Sequence, residues 1–185
     1  MGRWKIAVID DEPDVFAVVE MTLDGVQICG QDVELIHAPS AADGLALFKA
    51  EEDIALAFVD VVMESDTAGL DLVRTLRREL YLWRPRLIML TGQQVLAPER
   101  ETVLSYDLDG YLDKPTVTDS RLFTAAYAGI RAYDMICRLD SARREVTMAV
   151  NQLMNAQSGP IASDVMARVV DSLSRAGTAL KPAAE

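Results

Sequence analysis

Five short apolar runs recur along the chain: Ile6 to Ile9, Val33 to Ile36, Ala55 to Val59, Leu87 to Leu90, and Tyr111-Leu112. Most are continuously hydrophobic instead of alternating, as strands covered on both faces are. Between them lie Asp14 to Leu23, Ala41 to Glu51, Leu70 to Leu82 and Pro98 to Tyr106, with apolar residues at helical spacing, clearest at Leu72, Val73, Leu76 and Leu80. Ser40 can cap the second of these helices, and Pro13 and Pro98 stand where a first-turn proline costs little. Strands alternating with helices in this way predict an α/β fold with a doubly wound, five-stranded parallel sheet.

The fifth helical pattern differs from the others. From Asp119 to about Ala156 there is no proline and only Gly129 interrupts, far beyond the mean helix of about 11 to 12 residues. Phe123, Tyr127 and Ile130 form one stripe that can pack on the sheet. Ile136, Leu139, Val146, Val150 and Leu153 follow the alternating three-and-four spacing of a two-stranded seam, with Arg143 as its poor position. That seam predicts a homodimer through the C-terminal helix; an amphipathic helix folded back on its own domain is the alternative. Ser158-Gly159-Pro160 breaks the pattern, and Ile161 to Ala176 resumes it through Val165, Val169, Val170 and Leu173. The expected organisation is a sheet domain over 1–135, a helical extension over 136–157, and over 158–185 a short helical tail or the start of a truncated second domain.

Charge sharpens this division. The 185 residues carry 29 acidic and 18 basic side chains, a net charge of −11, with half of the chain hydrophobic. Residues 1–118 hold 22 acidic and 10 basic side chains, and residues 119–185 hold 7 and 8. An acidic first segment repels phosphate backbones, which argues against direct nucleic-acid binding. Cys29 and Cys137 form no CxxC pair or disulfide framework and read as small buried thiols of a reduced, cytoplasmic protein. No apolar run approaches the roughly 20 residues that span a bilayer, and the N-terminus lacks a signal-peptide pattern, so no membrane association is expected.

In an open α/β sheet, ligands bind beyond the carboxyl ends of the strands. Asp10-Asp11-Glu12 follow the first predicted strand, Asp60 ends the third, Thr91-Gly92 end the fourth and Lys114-Pro115 follow the fifth, all on one edge. Taken singly these are a helix cap, a loop carboxylate, a turn and a solvated lysine. Together they bring three aspartates to one place, and oxygen-rich sites of this kind hold Mg²⁺ alongside a phosphate. The pattern points to phosphoryl transfer.

These segments, VIDDEPD at 8–14, FVDVVM at 58–63, LTG at 90–92 and YLDKP at 111–115, resemble the receiver domain of two-component response regulators, the CheY-like family, over about residues 4 to 135. The resemblance implies a flavodoxin-like sheet of order 2-1-3-4-5 and a phosphorylation switch fed by a histidine kinase or phosphotransfer protein. It implies Asp60 as phosphoacceptor, and Mg²⁺ held by Asp10, Asp11, Asp60 and the Val62 main-chain carbonyl, with Asp11 the closer match to the direct ligand. It further implies Lys114 as the partner of the phosphoryl group, Thr91 as the switch hydroxyl and Tyr111 as the aromatic that follows Thr91. Gly92 leaves room beside the phosphoryl group. After Asp60 this chain departs from the common pattern: Met63 to Asp71 lacks the usual proline and is one residue longer. With TGQ at 91–93, APERE at 97–101 and LFTAAYAGIRAYD at 122–134, that variant is similar to receivers found ahead of cyclic-di-GMP-metabolising output domains of HD-GYP type. No HD-GYP or GGDEF motif occurs in these residues, so a signalling module and not an output enzyme is expected.

Two other classes stay open on the residues. One is a phosphate-independent pseudo-receiver that only binds partners. The other is a Mg²⁺-dependent phosphatase of the haloacid-dehalogenase type, which needs a second acid two residues after the nucleophile, where this chain has Val62. His37, the sole histidine, has no ligand partner nearby in sequence and reads as a structural or surface residue.

Overall fold

The computed structural model describes residues 2–92 and 99–155, together with 167, 168, 170 and 171. The elements are β1 (Trp4–Ile9), α1 (Pro13–Leu23), β2 (Gln27–Ile28), β3 (Gln31–Ala38), α2 (Ala41–Ala50), β4 (Ile54–Val59), α3 (Ala68–Arg74), β5 (Arg86–Thr91), α4 (Glu99–Tyr106), β6 (Gly110–Asp113) and α5 (Asp119–Asn155). Sheet order is β2-β3-β1-β4-β5-β6. The five longer strands are parallel neighbours in the order the resemblance implied. The sheet nevertheless has six strands, not five.

The additional strand is short. Gln27 and Ile28 pair antiparallel with Asp32 and Gln31, and the two residues between, Cys29 and Gly30, have φ of 51° and 73°. Positive φ at both central positions is the requirement of a type I′ hairpin turn, whose usual sequences carry Asn or Asp where Cys29 stands. Cys29 is therefore a half-buried turn residue, and Cys137 is half-buried as well, so neither is the fully buried thiol expected.

Central β4 is buried at every position, Ile54 through Val59, because helices cover both faces of the sheet. One part of the core joins Ala7, Ile9, Ala57, Val59, Leu72, Val73, Leu76, Leu87 and Met89 between the sheet and α3. Ser40 caps α2 as expected, its hydroxyl accepting the Asp43 N–H at 3.0 Å. The helix expected over 70–82 is α3 followed by a π-turn at Thr75–Glu79, where the Leu80 N–H reaches the Thr75 carbonyl at 3.0 Å. That turn carries Arg77, whose nearly buried guanidinium donates to the carbonyls of Leu82 and Pro85 and pairs with Asp109 at 2.9 Å. Arg77 and Arg78 also donate to the carbonyls of Asp107 and Ser105, at the C-terminal end of α4.

The chain divides into two compact units, residues 1–133 and 134–185. In the first, α5 packs through Leu122, Ala126, Ile130 and Tyr133, and Trp4 meets Tyr133 edge-on at 6.2 Å. Of the stripe expected to do this, only Ile130 is buried. Phe123 and Tyr127 instead stack on each other at 6.0 Å on the exposed side, with Arg131 over the Tyr127 ring. In the second unit the buried positions of α5 among the described side chains are Ala142 and Ala149, while Leu139, Val146 and Val150 are exposed and Ile136 is half-buried. The alanines lie beside the expected seam, not on it. The side chain of Leu153 and the break and helix expected over 158–176 fall outside the described residues, apart from 167, 168, 170 and 171.

Candidate functional site

Main-chain bonds that continue the parallel ladder place each strand-end residue. The Asp10 N–H donates to the Ala38 carbonyl (3.1 Å), the Asp60 N–H to Ile9 (2.9 Å) and the Lys114 N–H to Thr91 (2.8 Å). Asp10, Asp60 and Thr91 thus arrive at one edge, buried to 1%, 5% and 1% exposure. A carboxylate this buried needs a partner. Lys114 provides it: its Nζ lies 2.7 Å from Asp60 Oδ2, 2.9 Å from Asp10 Oδ2 and 2.9 Å from Glu12 Oε1.

The electrostatics follow from this convergence. Burial pushes the Asp10 carboxyl above its ordinary value, against the opposing pull of Lys114 and of the Glu12 N–H that donates to Asp10 Oδ1 at 3.0 Å. For Lys114, burial works to lower the ammonium, but hydrogen bonds to Asp60, Asp10 and Glu12 outweigh it and hold the group above its ordinary value. The lysine is charged at neutral pH and neutralises part of the acid cluster. Asp60 Oδ1 accepts the Val61 N–H at 2.6 Å, which fixes the carboxylate against its own backbone. His37, expected to be structural or on the surface, is structural: Nε2 bonds the Asp10 carbonyl at 2.9 Å and the ring stacks on Phe16.

The loop after Asp60 is held from two sides. Glu64 Oε2 accepts the Ala41 N–H of α2 at 3.3 Å, and the Gly69 N–H donates to the Val61 carbonyl at 3.0 Å. Gly69 lies so close to the acceptor backbone that a Cβ there would stand 1.7 Å from the Asp60 carbonyl oxygen. Gly92 is under no such demand, since a Cβ would meet Lys114 Cδ at an ordinary 3.6 Å. Tyr111 is half-buried on the edge strand β6, its phenol raised by burial and then by Glu99, Asp113 and Asp60.

Sequence reading placed Asp10, Asp60, Thr91 and Lys114 on one edge, and the structure brings them together. Glu12, which the sequence puts on the same edge without a role, joins them, and Gly69 is a residue the sequence does not single out. Carboxylate oxygens of Asp10, Glu12 and Asp60 lie within 4.8 Å of one another, whereas Asp11 is exposed and outside this cluster. An all-oxygen donor set of this kind fits a hard divalent cation such as Mg²⁺.

The family model for the response regulator receiver domain matches residues 6–127. The chain belongs to this family. Over 155 residues the receiver is 34% identical to the 3'3'-cGAMP-specific phosphodiesterase 2 of Vibrio cholerae; the match covers 84% of this chain and 30% of that protein. A response regulator receiver domain protein from Clostridium thermocellum is similar in structure, with 26% identity, a TM-score of 0.57, and coverage of 72% of this chain and 98% of that one. The receiver domain of an HD domain-containing protein from Pseudomonas fluorescens Pf-5 shares the fold at 18% identity and a TM-score of 0.60, over 71% of this chain and 98% of that one. Among the described residues no helix is long and apolar enough to cross a membrane.

Proposed function

We propose that this two-component receiver accepts a phosphoryl group on Asp60 from a histidine kinase or phosphotransfer protein of the cytoplasm. The observation that carries this reading is the nearly buried Asp60 carboxylate, held 2.7 Å from the Lys114 ammonium at the open edge of the sheet. An Asp60 oxygen forms the new bond to phosphorus as the donor's bond to phosphorus breaks. Lys114 offsets charge on the transferring group, as a fixed cation does in phosphoryl transfer generally.

Mg²⁺ would be held by Asp10 and Asp60 of the carboxylate cluster, with Asp11, which lies outside it, and the Val62 carbonyl as the further donors the resemblance implies. When bound, the ion neutralises charge on the phosphoryl oxygens. Thr91, buried on the neighbouring strand end, gains a new acceptor once Asp60 is phosphorylated. A shift of Thr91 toward it opens space beside β5, into which Tyr111 turns, and the surface of α4 and β6 changes state. Incubation with acetyl phosphate and Mg²⁺ is expected to add one phosphoryl group per chain, read by intact mass. An unchanged mass with Mg²⁺ present, or an equal gain with the metal chelated, sinks this reading. The phosphodiesterase activity of the Vibrio relative is not proposed for these residues, because the match spans 30% of that protein.

The second unit carries the signal outward in this proposal. Leu139, Val146 and Val150 are exposed apolar residues at seven- and four-residue spacing, so they share one face of α5. With Ile136 and Leu153 they form the seam of a homodimer. Sedimentation equilibrium with beryllofluoride and Mg²⁺ is expected to show dimers, and Val146→Glu with Val150→Glu to return the protein to monomers. A wild-type chain that stays monomeric at high concentration with and without beryllofluoride refutes the seam.

A further inference from the structure

Glu12 occupies the N-cap position of α1, with extended backbone (φ −91°, ψ 107°), yet its side chain makes no capping bond. Ser, Thr, Asp or Asn in that place would bond the first-turn N–H groups, and the positive end of a helix attracts a carboxylate toward the same groups. The Glu12 carboxylate is instead committed to Lys114 at 2.9 Å, across a separation of 102 residues. Its own N–H is held by Asp10 Oδ1, so the loop geometry that presents Asp10 also aims Glu12 at the lysine.

An ammonium group has three N–H donors. In this structure all three have carboxylate partners: Asp60, Asp10 and Glu12. A phosphoryl oxygen that is to be bonded by Lys114 must displace one of them. Asp60 becomes part of the acyl phosphate itself, and Asp10, at 2% side-chain exposure, has no water to turn to if it lets go. Glu12, at 64% side-chain exposure, is rehydrated at little cost when it lets go.

We infer that Glu12 is a positioning residue that keeps Lys114 at the acceptor in the unphosphorylated receiver and is the partner the phosphoryl group displaces. This rests on the proposal that Asp60 is the phosphoacceptor. Glu12 thereby sets the balance between the two states: the tighter its hold, the less the phosphorylated form is favoured.

The test uses the full chain, saturating Mg²⁺ and beryllofluoride, a phosphoryl mimic that needs no donor. Glu12→Gln is expected to bind beryllofluoride about two- to fivefold more tightly than wild type by calorimetric titration, the range that an exposed ion pair supplies. The ¹⁵N signal of the Lys114 side chain in the unliganded protein is expected to shift in the same variant. Glu12→Asp, which keeps the charge but shortens the reach, is expected to behave like Glu12→Gln. Equal or weaker binding by Glu12→Gln, an unmoved Lys114 signal, or wild-type behaviour of Glu12→Asp overturns the inference. Failure of wild type to bind beryllofluoride at all would instead overturn the Asp60 reading beneath it.

Discussion

Asp60→Asn is expected to lose all labelling by acetyl phosphate while keeping the fold. Asn is isosteric with Asp, and its side-chain oxygen can still accept the Val61 N–H that Asp60 Oδ1 accepts at 2.6 Å. What disappears is the anionic nucleophile and one of three carboxylates gathered around Lys114. Because Asp10 and Glu12 remain to pair the ammonium, the substitution leaves no buried cation without a partner. The unfolding free energy from urea titration should therefore change little, by about 1 kcal/mol in either direction, since relief of acid-acid repulsion opposes loss of the Lys114 bond. Residual labelling at the wild-type level would place the acceptor elsewhere. A collapsed near-ultraviolet dichroism spectrum would show that Asp60 is needed first for folding.

Gly69→Ala has the largest expected effect on stability. The added Cβ would stand 1.7 Å from the Asp60 carbonyl oxygen, 2.8 Å from its carbonyl carbon and 3.1 Å from Val61 Cα. All three are backbone atoms, so no side chain can rotate away. Either the start of α3 lifts from the sheet, losing the Gly69 N–H bond to the Val61 carbonyl, or the Asp60 peptide shifts. Overpacking of this kind costs about 3 kcal/mol. Urea titration should show that loss, and the variant that remains folded should label more slowly because the acceptor backbone has moved. A variant within about 0.5 kcal/mol of wild type, the range of an ordinary surface change, would mean that this close approach does not exist in solution.

Much of this architecture was legible in sequence because the sheet is covered on both faces. Runs such as Ile54 to Val59 are then uninterrupted, and the helices between them need only one apolar stripe. What escaped has physical causes. β2 is two residues long and its turn uses Cys29, which carries no turn signature. Of the stripe of α5 expected to pack on the sheet, Ile130 is buried but Phe123 and Tyr127 are not, and Ala126 takes a buried place beside it because close packing accepts a small residue where backbones approach. Ala142 and Ala149 escaped in the same way.

The site was legible where a motif fixes a residue to a strand end, as with Asp10, Asp60 and Lys114. The pairing of Glu12 was not legible, for the opposite reason. A glutamate after two aspartates reads as helix-start acidity, and only the folded chain brings Lys114 within 2.9 Å of it. Gly69 lay in the loop whose length departs from the common pattern. Its necessity depends on where the Asp60 carbonyl falls, which spacing alone does not specify.

The two arginines of the π-turn have a mechanical consequence. Arg77 and Arg78 fasten the carbonyls of Asp107 and Ser105, and so tie the last turn of α4 to α3. An eight-residue helix is about 12 Å long. With that end fastened, any tilt of α4 displaces its first turn, beginning at Glu99, more than its last.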